Sequence, residues 1–429
     1  MARRIYISFL GTGDYKPATY SLNDRTADVS RFVQAAELQI LGPNYFDRIF
    51  LVMTESSREK HFKALKSELM KLGVENIHDI SITEDLEPAH HWGWFETILS
   101  FIDHGDELTV DLTHGYRIIP IVFSTALNFL QKAKDIKIKA VYYGAFEAGD
   151  NDTAPIVNAK DFYVINEWTD AVARLVEDAD PGKLGSVAQK EENTNLKEFD
   201  DPELVAAFDD LTKALKNVEI HTVSEKATRA VNLIRKKEAG ASTTGRILLE
   251  LVKEKFISLI KDKSFTGRYD FDYFQLQLEI VRILLDHHLF MQAYTVMREM
   301  LGSFGLITMK KKANISNEKG RKQRRKAELF IRMIQNDESE WEFSDDEKKN
   351  MVRIMPLYRE MEAAGIVTRL KALTEDLTKY RNGFDHAWTK HSNAFDDIER
   401  KGNMFLQEIA EIIQQLIAQD FFKFSHPVL

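Results

Sequence analysis

The chain has 429 residues, enough for two or three domains, and carries Lys+Arg 58 against Asp+Glu 67 for a formal charge of -9. That balance excludes a protein held to nucleic acid by positive charge over its whole surface. A hydrophobic content of 44% with 20 Gly and 9 Pro excludes a disordered or fibrous chain, and the absence of cysteine excludes thiol catalysis, thiolate metal sites and disulfides.

In chain order, the first 165 residues alternate short β-branched or aromatic runs with amphipathic stretches. Strands are predicted at 4–10, 48–53, 77–82, 107–112 and 138–143, with helices at 57–72, 91–104 and 118–134 between them. Such alternation predicts an α/β Rossmann-like domain with a parallel sheet and flanking helices, here over residues 1–170. From about 178 to 201 the sequence turns polar, with Pro181, Gly182 and Gly185, and residues 171–202 are read as a linker. From 203 to 429 helical period dominates, with helices predicted at 203–216, 224–237, 244–261, 274–301, 326–335, 348–364, 370–381 and 394–422. The second half is therefore expected to be all-α. Asp286-His287-His288 lies inside the run 274–301 with no companion carboxylate cluster and is read as helix, not as a metal site.

Two further features bear on location and partners. The apolar run 5–10 ends at Gly11, and the run 118–130 is broken by Pro120, Ser124, Thr125 and Asn128; both fall short of the roughly 20 residues that span a bilayer. A cytoplasmic protein without membrane contact is expected, which agrees with the lack of cysteine. Residues 310–326 hold nine basic side chains against the single acid Glu318. They form either a local guide for a polynucleotide or a solvated loop balanced by the acidic stretch 337–347.

In open α/β sheets ligands sit beyond the carboxyl ends of the strands, so the residues after each strand are the candidates for binding. After the first come Gly11, Thr12 and Gly13; after the second, Thr54 and Ser56; after the fourth, Thr113, His114, Gly115, Tyr116 and Arg117. The dinucleotide fingerprint fails because Lys16 stands where its third glycine belongs, and there is no Walker A ending. In the segment Asp111 to Arg117, hydroxyl and imidazole side chains, a permissive glycine, a helix N-terminus and an arginine converge, all of which suit an anion.

The Asp-Leu-Thr-His-Gly-Tyr-Arg segment, with Gly-Thr-Gly after the first strand, resembles the CRISPR-associated Rossmann fold (CARF) sensor domains that bear an Asp-x-Thr-His-Gly signature. The resemblance covers about residues 1–165. It implies a domain that dimerises and binds a cyclic oligoadenylate, with cyclic tetra-adenylate favoured, through Gly11, Thr12, Gly13, Thr113, His114, Gly115 and Arg117. Whether His114 only binds that ligand or also degrades it stays open.

A second segment, Tyr380-Arg381-Asn382-Gly383-Phe384-Asp385-His386, has Arg-x4-His spacing with a polar residue after the arginine. It resembles the active-site motif of HEPN ribonucleases, whose helical fold agrees with residues 203–429. The resemblance implies Arg381, Asn382 and His386 as catalytic residues. Histidine titrates near neutrality and can move the proton of a 2′-hydroxyl, while an always-charged forked guanidinium can hold phosphoryl oxygens. Residues five apart on a helix diverge by about 140°, so a cleft would need both subunits of a homodimer or higher homo-oligomer. Together the two segments imply a ligand-activated endoribonuclease of type III CRISPR antiviral defence. It would need no cofactor or metal and would cut single-stranded RNA. The competing readings are that Arg381 merely pairs with Asp376 or Asp385, and that the protein is a non-catalytic sensing regulator whose helical half binds nucleic acid or protein.

Overall fold

The computed structural model describes residues 2–85, 87–115, 118–149, 153–188, 198–261, 268–309, 318–385 and 397–422. The chain divides into two compact units, Met1–Glu167 and Trp168–Leu429.

The first unit is an eight-stranded sheet between helices. In chain order its elements are β1 (Arg4–Leu10), β2 (Thr19–Leu22), β3 (Arg25–Thr26), α1 (Val33–Leu41), β4 (Arg48–Met53), α2 (Glu55–Ser57), a π-helical turn (Arg58–Phe62), α3 (Lys63–Lys71), β5 (Ile77–Ser81), α4 (Pro88–Ser100), β6 (Glu107–Asp111), α5 (Ile119–Ala133), β7 (Lys137–Gly144) and β8 (Thr153–Asn158). The sheet order is β3-β2-β8-β7-β6-β1-β4-β5. The block β5-β4-β1-β6-β7 is wholly parallel. It has the order of five strands of a doubly wound sheet, with the reversal between β1 and β6.

Alternation along β1 sets the layers. Ile5, Ile7 and Phe9 join the core under α4 and α5, where Phe9 meets Phe123 edge-on at 5.3 Å. Tyr6 and Leu10 point to the other face, under α1 and α3. Each such aromatic taken out of water contributes about 1.5–3 kcal/mol.

The five strands read from sequence are this parallel block. Three further strands were not expected: β2, β3 and β8, which extend the sheet through an antiparallel β7–β8 pair and a parallel β2–β8 pair. Helix α1 was also unforeseen. Seven of its nine residues are buried, including the polar Gln34 and Glu37, so it has no polar face to betray its period.

The second unit is helical. The division falls within α6 (Asp161–Asp178), followed by α7 (Gly182–Ala188), α8 (Pro202–Lys216), α9 (Ile220–Glu238), α10 (Thr243–Phe256), α11 (Phe271–Asp286), α12 (Phe290–Phe304), α13 (Glu318–Gln335), α14 (Asp345–Ala363), α15 (Ile366–Asp385) and α16 (Ile398–Ala418). Asp201, Ser242, Asp270 and Ser344 cap four of these helices by accepting from backbone N–H groups, which would otherwise lack partners. Buried faces of α11, α13, α15 and α16 surround α12. Arg369 ties α15 to α16 through Glu408 at 2.8 Å and Glu411 at 3.0 Å.

Three expectations need revision. The run 274–301 is two helices, because the chain turns at His288, whose φ of 54° is left-handed. Its neighbour His287 is buried with Nε2 2.9 Å from the Val176 carbonyl. The stretch 171–202, read as a linker, holds the end of α6 and all of α7, while 189–197 lie outside the described residues. Of the basic stretch 310–326, residues 318–326 belong to α13 and so are helix, not loop; 310–317 lie outside the described residues.

Candidate functional site

At the carboxyl edge of the parallel block, beside the β1/β6 reversal, lies a cavity of about 220 Å³. Gly11, Thr12 and Gly13 line it from the end of β1, Thr54 from the end of β4, and Thr113, His114 and Gly115 from the end of β6. Seven residues singled out from the sequence thus meet around one space. Close backbone approach explains Gly11 and Gly115. Gly115 has φ 119°, and a Cβ there would stand 3.1 Å from Ile119 Cδ1 and 3.3 Å from Phe9 Cβ. A Cβ on Gly11 would stand 3.0 Å from the Gly115 nitrogen. The two loops therefore touch through their main chains.

Behind the cavity runs a buried hydrogen-bonded chain. Ser8 donates from Oγ to Asp111 Oδ2 at 2.6 Å, and both the hydroxyl and the backbone N–H of Thr113 donate to Asp111 Oδ1, the latter at 2.9 Å. Thr113 Oγ1 in turn accepts from the Gly144 N–H at 2.7 Å. Asp111 is fully buried, and burial raises its carboxyl above the ordinary range against the opposing pull of His114, Ser8 and Thr113. Burial likewise holds His114 below the ordinary histidine value despite the nearby Asp111. The ring is thus biased toward its neutral form, and its Nε2 is buried without a partner. An unpaired buried nitrogen on a cavity wall suits a ligand that supplies the missing hydrogen bond.

Sequence reading missed the residues that complete this edge. Tyr15 packs between His114 at 4.3 Å and His61 at 4.5 Å, its ring tilted against each. Its hydroxyl accepts from the Gly11 N–H at 2.8 Å and donates to the Gly11 carbonyl at 2.9 Å. His61 Nε2 lies 2.8 Å from the Gly13 carbonyl, and Lys60 donates to the Thr12 carbonyl at 2.8 Å. Both sit in the π-helical turn, where the extra residue per turn shifts side chains off the helical period. An aromatic four residues after a glycine was the available signal for Tyr15.

Ser56 does not line the cavity, and its backbone N–H donates to Glu84 at 2.8 Å. The Thr54 hydroxyl accepts from the Ser57 N–H at 3.3 Å in a capping box of α2. Tyr116 and Arg117 lie outside the described residues.

In the helical unit, Arg381 and Asn382 occupy the last turn of α15, and His386 lies outside the described residues. Arg381 is partly exposed and pairs with Asp385 at 3.1 Å. It also helps Arg298 and Arg324 hold the Glu328 carboxyl below its usual range. Phe384 and Tyr380 anchor this turn on Tyr294 at 5.6 and 5.3 Å. Among the described residues, no group of histidine and carboxylate side chains could hold a metal ion, and no helix is long and apolar enough to cross a membrane.

No family model matches the chain. Over 210 residues it is 22% identical to the CRISPR-associated protein MJ1674 of Methanocaldococcus jannaschii, a stretch that covers 48% of this chain and 30% of that protein. The chain thus matches less than a third of that relative's length. The likeness supports a CRISPR-related role.

Proposed function

We propose that the protein is a cyclic-oligoadenylate-activated, metal-independent endoribonuclease that cleaves single-stranded RNA in type III CRISPR antiviral defence. The observation that carries the sensing half is the cavity at the β1/β6 reversal, where both glycine loops meet and His114 presents an unpartnered nitrogen. A phosphodiester ligand fits an edge made of backbone amides, hydroxyls and a neutral imidazole. The CRISPR-associated relative agrees with a CRISPR-related role.

For the second half, Arg381 would hold the phosphoryl oxygens of the scissile bond and His386 would move the 2′-hydroxyl proton. Asn382, exposed on the same turn, would orient one of them by hydrogen bonding. Arg381 must leave Asp385 to do so, and a homodimer would bring two such turns to one cleft. Ligand binding switches activity only by favouring the competent arrangement over the resting one.

The test is incubation of the full chain with cyclic tri-, tetra- or hexa-adenylate and a labelled single-stranded RNA. Cleavage is expected with the tetra-adenylate, insensitive to chelator and blocked by a 2′-deoxy substitution at the scissile nucleotide. Arg381→Ala and His386→Ala should each abolish it while ligand binding persists. Cleavage retained in both variants would remove the catalytic assignment. Ligand binding without cleavage would instead support a non-catalytic sensing regulator, the reading that the Arg381–Asp385 pair favours.

A further inference from the structure

The helical unit holds a second, larger cavity of about 630 Å³, within the size range of ligand sites. Its walls come from the α8–α9 turn and from α11, α12 and α13. Two tyrosines and an imidazole give it an aromatic side: Tyr269 meets Tyr273 edge-on at 5.5 Å, and His221 lies parallel to Tyr273 at 6.4 Å and 18°. Burial alone lowers the His221 pKa, which favours its neutral ring.

Polar side chains are numerous on the walls, and most are engaged: Glu219 accepts from Thr222 and Lys226, Thr295 and Ser303 donate to the carbonyls of Met291 and Glu299, and Glu299 pairs with Arg324. Gln277, only 1% exposed, has an amide Nε2 with no hydrogen-bond partner. Arg324, the cationic group on the wall, is already taken up by Glu299 and by Glu328 at 2.7 Å. The α8–α9 turn is held at Val218 with φ 58°, a backbone conformation that a β-branched residue rarely adopts.

Two tyrosine rings nearly at right angles offer an aromatic face beside an aromatic edge, and with one vacant buried donor they suit an uncharged heteroaromatic ring that offers an acceptor on its edge. A free phosphate would find no uncommitted cation on these walls. We propose that this cavity binds a nucleobase, stacked against the Tyr269–Tyr273 side with a ring nitrogen or carbonyl accepting from Gln277. The base comes either from a free nucleoside or from a position within an RNA strand. The inference goes beyond the proposed ribonuclease activity and stands without it, because its readout is binding.

Equilibrium dialysis of the full chain against each of the four labelled ribonucleosides tests the first source. A short single-stranded RNA, intact or with one abasic position, tests the second, using the Arg381→Ala chain so that strand scission cannot enter the readout. Binding of at least one probe at millimolar concentration or below is expected, weakened about tenfold by Gln277→Leu and at least fivefold by Tyr269→Leu. Gln277→Leu should leave the melting temperature unchanged or higher, since it removes an unpartnered buried amide, so weaker binding in that variant is not unfolding. Nucleoside binding without RNA binding assigns a free ligand. RNA binding that falls at the abasic position assigns a base within a strand. Failure of both probes to bind, or undiminished binding in both variants, would overturn the proposal.

Discussion

The sheet edge and the end of α15 are built on opposite plans. At the sheet edge most polar groups are engaged before any ligand arrives, with Ser8 and Asp111 fully buried: Asp111 takes Ser8 and Thr113, Thr113 takes Gly144, and Tyr15 clasps Gly11. At the end of α15, Arg381 is partly exposed and pairs with Asp385 a helical turn away, within electrostatic reach of Glu328. Exposed pairs of this kind contribute only about 0–1 kcal/mol. The first region is costly to disturb and suits recognition; the second is cheap to rearrange and suits a group that must change partners.

Substitutions can break or sharpen that contrast. The largest effect is expected from Arg381→Ala, which should lower ligand-stimulated RNA cleavage at least about 100-fold. It should move the melting temperature by no more than about 2 °C. A large drop in stability would mean that Arg381 is structural after all. At the sheet edge the balance should invert. Gly115→Ala forces a side chain into a φ of 119° against Phe9 and Ile119 and should cost about 1–3 kcal/mol together with binding of cyclic oligoadenylate, as denaturant melts and ligand titration would report. Unchanged stability would show that the two loops can part without penalty.

Next in size is Thr113→Val, which keeps the shape but leaves the Gly144 N–H without its acceptor and removes a donor to Asp111. A loss of about 1–3 kcal/mol is expected, with Thr113→Ser restoring most of it. The smallest effect concerns Glu37 of α1, fully buried, with Oε2 accepting from the Tyr6 hydroxyl at 2.7 Å and Oε1 unpartnered. Burial first, and the nearby Asp111 second, raise its carboxyl well above the ordinary range. The folded chain therefore retains a proton that the unfolded chain gives up. That stabilisation is complete below the ordinary glutamate value and is lost as pH rises through the folded value. Glu37→Gln should accordingly raise the melting temperature at pH 8 by about 2 °C or more and much less at pH 4. An equal rise at both values would refute a protonated Glu37.

Legibility in the sequence followed burial pattern. The parallel strands could be read because two covered faces demand unbroken apolar runs, as in Ile49 to Met53. Strand β8 escaped because Pro155 and Asn158 interrupt it at the antiparallel extension, and α1 because Gln34 and Glu37 are buried where its period needed apolar residues. In the helical unit the periods were legible, whereas the break at His288 was not. No glycine or proline marks it, and a left-handed φ on a histidine is a cost that only the surrounding packing can impose.

For the site, chain order alone placed Gly11 to Gly13 and Thr113 to Gly115 after strands, because a residue that ends a strand in a parallel sheet must emerge at its carboxyl edge. Local sequence likewise determined that Arg381 and Asp385, four apart on a helix, stand within reach of each other. What required the folded chain was the meeting of distant groups: Tyr15 between His61 and His114, Asp111 beneath Ser8, and Gln277 facing a tyrosine-lined cavity without a partner. Strand and helix periods are short-range properties carried by a few neighbouring residues. Which side chains end up buried together, and which polar atom is left over, depends on how all the layers close at once.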